Sequence, residues 1–332
     1  MEKNVSQKVI IGIIVLIVLA GVLYFSQKTE KEKTPATQTP TSQENFGKKV
    51  DYKITGIEPG AGIMANTEKA IEEYGLDNWE LQKSSSAAML SSLQDAIASQ
   101  EPVIATVWEP HSAFAIANIR KLKDPKKIYN DPEATKKFLE KYAPEWQDAE
   151  VKSDVLATVV YKGFKKDAPA AYEFFRNFNI PASTQSNWIY QYSIEDVDPE
   201  KIAENYFNDN SEKIKEWTPD SAELGKEKIT LGIPPWPGAT VKSHIVARIL
   251  KDMGYKTEIN EMDAGVVYTS LADKQLDVNV AGWLPVTHKD YWEEKKDQLE
   301  IAGINVTQTW LGLGIPDYAD KSIQSLKDLK SK

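Results

Sequence analysis

Cysteine is absent from the 332 residues, which excludes disulfides, a thiolate nucleophile, Cys-based zinc sites and a lipid-modified cysteine. Positive charge is also scarce: 40 Lys and Arg stand against 49 Asp and Glu, a formal net charge of -9. Neutralising phosphates needs a cationic face, so this balance argues against nucleic acid as a partner. H-E-x-x-H, G-x-S-x-G and EF-hand loops are missing, and no nucleophile, base and orienting group recur at a spacing that would motivate catalysis. No enzyme, metal site or cofactor is expected. What remains is a chain too long for one ordinary domain and about right for two lobes. Hydrophobic residues at 41% and charged residues at 27% are ordinary for a globular body, while nine Trp stand out.

Val9 to Phe25 is an unbroken apolar run preceded by Lys3 and Lys8. As a helix it would reach roughly 25 Å, close to the hydrocarbon thickness of a bilayer. It is long for the apolar core of a signal peptide and no A-x-A site follows, so residues 1–25 are expected to form an uncleaved membrane anchor, with a cleaved signal as the alternative. Lys28, Lys31 and Lys33 rival the basic residues on the near side and leave orientation open. Ser26 to Lys48 is Lys, Glu, Thr, Pro, Gln and Ser with hardly an apolar side chain; it cannot repay the entropy of folding and reads as a flexible tether.

The body contains an internal echo. Tyr52 to Ile57 reads as a strand, runs into Glu58-Pro-Gly-Ala-Gly62 and continues as a helix from Ile63 to Tyr74. Lys228 to Ile233 likewise runs into Pro234-Pro-Trp-Pro-Gly238 and a helix from Val241 to Met253. Each half then passes through a second helix, Ser84 to Ser99 or Gly265 to Asp273, into a buried strand. Those strands end alike, in Trp108-Glu-Pro110 and Trp283-Leu-Pro285. The order is that of a β-α-β-α-β unit with a parallel sheet, present twice. Asp154 to Lys162 and Thr309 to Ile315 read as extended crossings between the halves, and two crossings make a hinge. One lobe would then comprise residues 49–153 and 315–332, the other residues 154–314.

Ligands of open α/β sheets sit outside the carboxyl ends of the strands, which is where the Gly62 loop, Trp108, Trp236 and Trp283 fall. Pro59-Gly-Ala-Gly62 opening a helix suits one small anion, since the first free N–H groups point outward at the positive end of the dipole. A plain tight turn is the alternative. The absence of G-x-G-x-x-G and of a Walker lysine disfavours nucleotides. Three indoles on loops can box a quaternary ammonium, which is drawn to ring faces and has no hydrogen bond to donate. At about 2 kcal/mol for each desolvated ring, three supply on the order of 6 kcal/mol, against roughly 8 kcal/mol for a micromolar ligand. His288, five residues beyond Trp283, is placed to donate a ring N–H to the anionic end. His111 reads as structural or capping, His244 as surface or packing, and Ser84-Ser-Ser86 as a helix cap. Trp79, Trp146, Trp188, Trp217, Trp292 and Trp310 are assigned to packing.

From Tyr52 to Lys330 the chain resembles the substrate-binding proteins of glycine betaine and proline betaine ABC importers. The likeness is carried by Gly56-Ile-Glu-Pro-Gly-Ala-Gly-Ile-Met64, Ser84-Ser-Ser-Ala-Ala-Met89, Trp108-Glu-Pro-His111, Leu231-Gly-Ile-Pro-Pro-Trp-Pro-Gly238 and Ala281-Gly-Trp-Leu-Pro-Val-Thr-His288, ending in Ser325-Leu-Lys-Asp-Leu329. The resemblance implies an α/β, two-lobed periplasmic-binding-protein fold (type II-like) with the ligand between the lobes. It implies a trimethylammonium cage of Trp108, Trp236 and Trp283, and a carboxylate held by the N–H groups of Gly62 and Ile63 with the His288 side chain. The half bearing the Gly62 loop comes first, an order that looks like a circular permutation within the family. Ser112-Ala113 and Trp236-Pro237 depart from the common pattern and bear on the choice among betaines. The partners implied are an ABC permease with its ATPase subunit, with the binding domain anchored at the cell surface outside the cytoplasmic membrane. Rival readings are an enzyme acting on quaternary amines, a sensor domain, or a binder specific for choline, carnitine or proline betaine.

Overall fold

The computed structural model describes residues 45–220 and 223–330. The apolar run expected to anchor the chain, and most of the tether after it, lie outside the described residues. Among the described residues no helix is long and apolar enough to cross a membrane. The tether was expected to reach Lys48, but Asn45 to Lys48 are structured. Asn45 accepts a hydrogen bond from the Gly47 N–H at 2.8 Å and caps a short helix, Phe46–Lys49. Phe46 is buried with its ring centroid 6.4 Å from that of Trp79. One apolar side chain in a polar stretch suffices to fix its end.

Among the described residues ten strands form two five-stranded sheets. In the first, β1 (Lys53–Thr55), β2 (Glu80–Gln82) and β3 (Ala105–Glu109) are parallel in the order β2-β1-β3. In the second, β6 (Lys228–Ile233), β7 (Lys256–Glu261) and β8 (Val278–Leu284) repeat this as β7-β6-β8. The connecting helices are Gly62–Tyr74 and Ser86–Ser99 in one half, Pro237–Asp252 and Ala264–Ala272 in the other. The duplicated β-α-β-α-β unit is therefore present, and the chain has two lobes of mixed α/β structure.

The sheets are completed differently from the sequence expectation. Val155–Tyr161 (β5) is no mere crossing: it is buried throughout and lies antiparallel between β8 and β9 (Leu299–Val306). Trp310–Pro316 (β10) likewise lies antiparallel to β3 and to β4 (Ile119–Lys121) in the first sheet. The segment at Thr309 to Ile315 thus belongs to the first lobe almost entire, and the return crossing is confined to the residues just before it. The outward crossing also falls earlier than residue 153. Helix Pro132–Tyr142 places Phe138 and Leu139 in the core cluster of the second sheet, with Tyr268, Leu284 and Trp292. Asn130 marks the turn-over, exchanging hydrogen bonds with Leu311 through both its amide groups, at 2.7 and 3.1 Å. Periodicity could show that Pro132–Tyr142 is amphipathic, but not which of two apolar surfaces it would choose.

Pro199 to Trp217 forms two helices, Pro199–Asp209 and Ser211–Trp217, parted at Asn210. Of the six Trp residues assigned to packing, Trp79, Trp188, Trp217 and Trp292 are buried while Trp146 and Trp310 are only half-buried, and Trp79 donates to the Leu329 carbonyl at 3.1 Å. Trp292 meets Phe138 and Tyr142 edge-on, with centroids 5.7 and 5.1 Å apart. If this aromatic cluster holds Pro132–Tyr142 on the second lobe, Trp292→Ala should cost about 3–5 kcal/mol in urea unfolding. A loss below about 1 kcal/mol would show that the helix is seated by other contacts.

Candidate functional site

The loop after β1 is shaped by its ties to the next helix. Ser84 Oγ donates to the Gly56 carbonyl at 2.6 Å, the Ser84 N–H reaches the Ile57 carbonyl, and Glu58 accepts the Ser86 N–H at 2.9 Å. Ser85 is the cap of that helix, accepting from the Ala88 N–H, so the serine run is structural as the sequence suggests. These bonds present the start of helix Gly62–Tyr74 to the lobe junction. Ala61 at its cap supplies no side-chain acceptor, and nothing among the described residues accepts from the N–H groups of Gly62 and Ile63. Two donors at the positive end of a helix of 13 residues are left for something else.

The opposing wall is the turn after β8. The His288 N–H donates to the Trp283 carbonyl at 2.8 Å, and the Trp283 N–H donates to His288 Nδ1 at 3.2 Å. Asp154, fully buried at the base of β5, accepts the Val286 and Thr287 N–H groups at 2.6 and 2.9 Å. Burial pushes its carboxyl up to about 6, against the pull of the hydrogen bonds from Thr287 and Val286. The turn so held brings the Thr287 carbonyl against Gly62: a Cβ on Gly62 would lie 2.0 Å from that oxygen. Alongside, Tyr291 donates to the Gly60 carbonyl at 2.8 Å. The two lobes meet here with the site closed.

Between them is a cavity of about 280 Å³, open solvent included, lined by Ile57, Ala61, Gly62, Ile63, Trp108, Trp236, Trp283, Thr287 and Leu311. The structure thus brings together five of the six residues singled out in the sequence. Trp108 and Trp283 are the next-to-last residues of β3 and β8, and Trp236 stands at the cap of helix Pro237–Asp252; each is 6–8% exposed. No side chain of the lining carries a formal charge. Even with open solvent counted, that volume is too small for a dinucleotide.

His288, the sixth, is not part of the lining. It is fully buried behind Trp236, ring centroids 5.7 Å apart, with Tyr268 Oη 3.3 Å from Nδ1. Because Nδ1 accepts the Trp283 N–H, the proton belongs on Nε2, and Nε2 is buried without a partner among the described residues. Burial pushes its pKa down to about 3, so the ring is a neutral donor at ordinary pH. His111 meets Trp108 edge-on with ring centroids 4.4 Å apart, and its Nδ1 accepts the Ala113 N–H at 3.0 Å, where a structural or capping role was expected. Thr287, Leu311, Ile57 and Ala61 were not singled out. Thr287 stands inside the Trp283-to-His288 motif and had a signal; Leu311 had none, since only pairing of β10 with β3 sets it opposite Trp108.

Residues 36–209 and 227–332 match the family model described as the substrate binding domain of ABC-type glycine betaine transport systems. The chain belongs to this family. It is 34% identical over 292 residues to the glycine betaine/carnitine transport binding protein GbuC of Listeria monocytogenes, an alignment covering 87% of this chain and 90% of that one. Among solved structures it is similar to lactococcal OpuAC in its closed-liganded conformation with glycine betaine, 28% identical over 51% of this chain and 58% of that one, TM-score 0.39. It is also similar to the glycine betaine/L-proline-binding protein ProX of Borrelia burgdorferi, 27% identical over 52% and 58%, TM-score 0.41. The chain spans less than two thirds of each of these two solved chains.

A histidine held neutral in the fold but free to protonate when unfolded costs stability as pH falls. Its contribution is complete above the unfolded pKa near 6.5 and is lost progressively toward about 3. Between pH 7 and pH 5 His288→Gln should therefore lose about 2 kcal/mol less unfolding free energy than the unaltered chain. Guanidinium titrations at the two pH values measure this, and parallel losses would mean that the ring is not held neutral.

Proposed function

We propose that the chain captures glycine betaine, or a close quaternary ammonium relative, at the cell surface and delivers it unchanged to an ABC permease driven by a separate ATPase subunit. The observation that carries this is the composition of one cavity wall: three indoles from both lobes beside two unclaimed N–H groups, with no formal charge among them. A zwitterion fits such a wall. Its methylated cation is drawn to the ring faces, and its carboxylate takes the N–H groups of Gly62 and Ile63 with the Nε2–H of His288 behind Trp236. The name of the Listeria relative includes carnitine as well as glycine betaine, so longer relatives stay within the reading.

Capture would proceed by closure. A ligand that touches Trp108 and Gly62 on one side, Trp236 and Trp283 on the other, binds the closed form better than the open one and shifts the population toward it. Residues 1–25 and the tether would hold the domain outside the cytoplasmic membrane, within reach of the permease. The rival reading, an enzyme acting on quaternary amines, needs a general base at the ligand, and no titratable side chain lines the cavity.

Choline keeps the methylated cation but lacks the carboxylate. Calorimetry should show glycine betaine binding at least roughly tenfold tighter, a difference of about 1.4 kcal/mol; equal affinities would mean that the N–H groups of Gly62 and Ile63 are not used. Recovery of unchanged betaine after binding separates capture from turnover. Gly62→Ala should weaken betaine binding by roughly a hundredfold or more, because a sub-van-der-Waals contact with a backbone carbonyl prevents closure. Wild-type affinity in that variant would show that the Thr287 turn can yield.

A further inference from the structure

Directly behind the three indoles lies a buried lysine. Lys242 sits in the second turn of helix Pro237–Asp252 and is fully buried. With Trp108, Trp236 and Trp283 it lines a smaller space on the far side of the cage. Its Nζ donates to Asn305 Oδ1 at 2.7 Å. Asn305 is itself fixed, donating through Nδ2 to Thr158 Oγ1 and the Val280 carbonyl, both at 3.2 Å. The partner of the amine is therefore a neutral amide oxygen. The other polar side chain in that space is Gln185, whose Oε1 is buried without a partner among the described residues.

We propose that Lys242 gates the cage by its proton: the indoles accept a quaternary cation while the Lys242 amine is neutral, and a protonated Lys242 expels it. This rests on the ligand reading above and adds a residue to it. Two cations separated by one layer of rings in a dry interior repel strongly, and no carboxylate among the described residues is set beside Lys242 to screen them. Burial alone pushes its pKa well below that of an ordinary lysine. Binding with Lys242 protonated would require the ammonium to give its proton to solvent, so cation and proton compete and the coupling is reciprocal.

The groups around Lys242 leave the assignment specific. From helix Ala182–Ser193 it faces Gln185, from β9 Asn305, from β8 Ala281 and from β5 Leu156, none of them titratable. Glu200 and Glu204 on helix Pro199–Asp209 and Glu261 on β7 line a groove with His244, Arg248 and Lys251 on the outer face of the same helix. There Glu204 pairs with Arg248, while Glu258 pairs with Lys228 at the sheet edge. His111 and His288 touch the indoles but titrate near 4 and 3, below the range that matters. Asp154 titrates near 6 and holds the Thr287 turn; its effect is common to every Lys242 variant.

The test is calorimetry of glycine betaine against the full-length chain from pH 5.5 to 8.5, with Lys242→Met and Lys242→Gln in parallel. Met matches the stem without the charge, and Gln keeps a donor for Asn305. The unaltered chain should lose up to roughly tenfold in affinity per pH unit below the pKa of Lys242. It should also release protons on binding, read from buffers of different ionisation enthalpy. Both variants should show a clearly smaller loss on acidification than the unaltered chain, the remainder being the part that Asp154 imposes on all three. A flat profile in the unaltered chain, or an undiminished slope in both variants, overturns the proposal while leaving the ligand reading intact. Absence of betaine binding at every pH overturns the ligand reading and this proposal together.

Discussion

The site depends on one steric fact: the Thr287 carbonyl rests where a side chain at residue 62 would begin. Glycine there lets two loops from different sheets touch through backbone alone. That contact sets the free N–H groups of Gly62 and Ile63 beside indoles carried by the other lobe. Its far side is not free to drift, because Asp154 takes both the Val286 and Thr287 N–H groups. A buried carboxylate is an expensive anchor, as its raised pKa shows. It is retained at the base of β5, beside the return crossing, where the Asp154 carbonyl also accepts from Thr309 Oγ1. The hinge region and the cavity wall thus share a residue.

The second constraint is electrostatic. A dry cavity can neutralise a cation with a carboxylate or an anion with an ammonium, but each buried charge must first be stripped of water. The lining of this cavity offers ring quadrupoles and helix N–H dipoles instead, groups that lose little when a site closes because they carry no formal charge. On the proposed reading such a wall would favour molecules whose own charges sum to zero. A bare cation would leave the N–H donors unmatched, and a bare anion would face three aromatic walls.

Much of this was legible in the sequence, and the limits of legibility have physical causes. The repeated strand, loop and helix order exposed the duplicated unit, since hydrophobic period and Gly/Pro punctuation are local signals. Trp108, Trp236, Trp283 and the Gly62 loop converge because strand ends in such sheets face one edge. The fate of the segments outside the repeat was not legible. Whether Val155–Tyr161 and Trp310–Pro316 cross or join sheets, and which core receives Phe138, is decided by pairing between residues far apart in sequence. Leu311 was invisible for the same reason, and so was Lys242, which reads as an ordinary polar position on a helix until its burial is seen. His288 shows a subtler limit: spacing set it at the expected anionic end, but the structure seats it behind Trp236, outside the cavity lining, with the Trp283 N–H bonded to Nδ1.

The strands that escaped the sequence reading explain how the cage can open without being disassembled. Trp108 on β3 is paired across the ladder with Leu311 on β10, and Trp283 on β8 with Leu156 on β5. In the first sheet the pairing strand β10 enters directly after the return crossing, whereas β5 joins the second sheet only after helix Pro132–Tyr142 has already packed there. Each indole is braced by a strand of its own sheet, so a rotation of the lobes would carry each Trp–Leu pair as a unit. The pairs need not repack as the lobes part; what changes is the distance between them. A ligand that fills that distance converts the rotation into binding free energy, which is why the antiparallel strands added to each repeat, and not the repeats alone, make two similar sheets into one receptor.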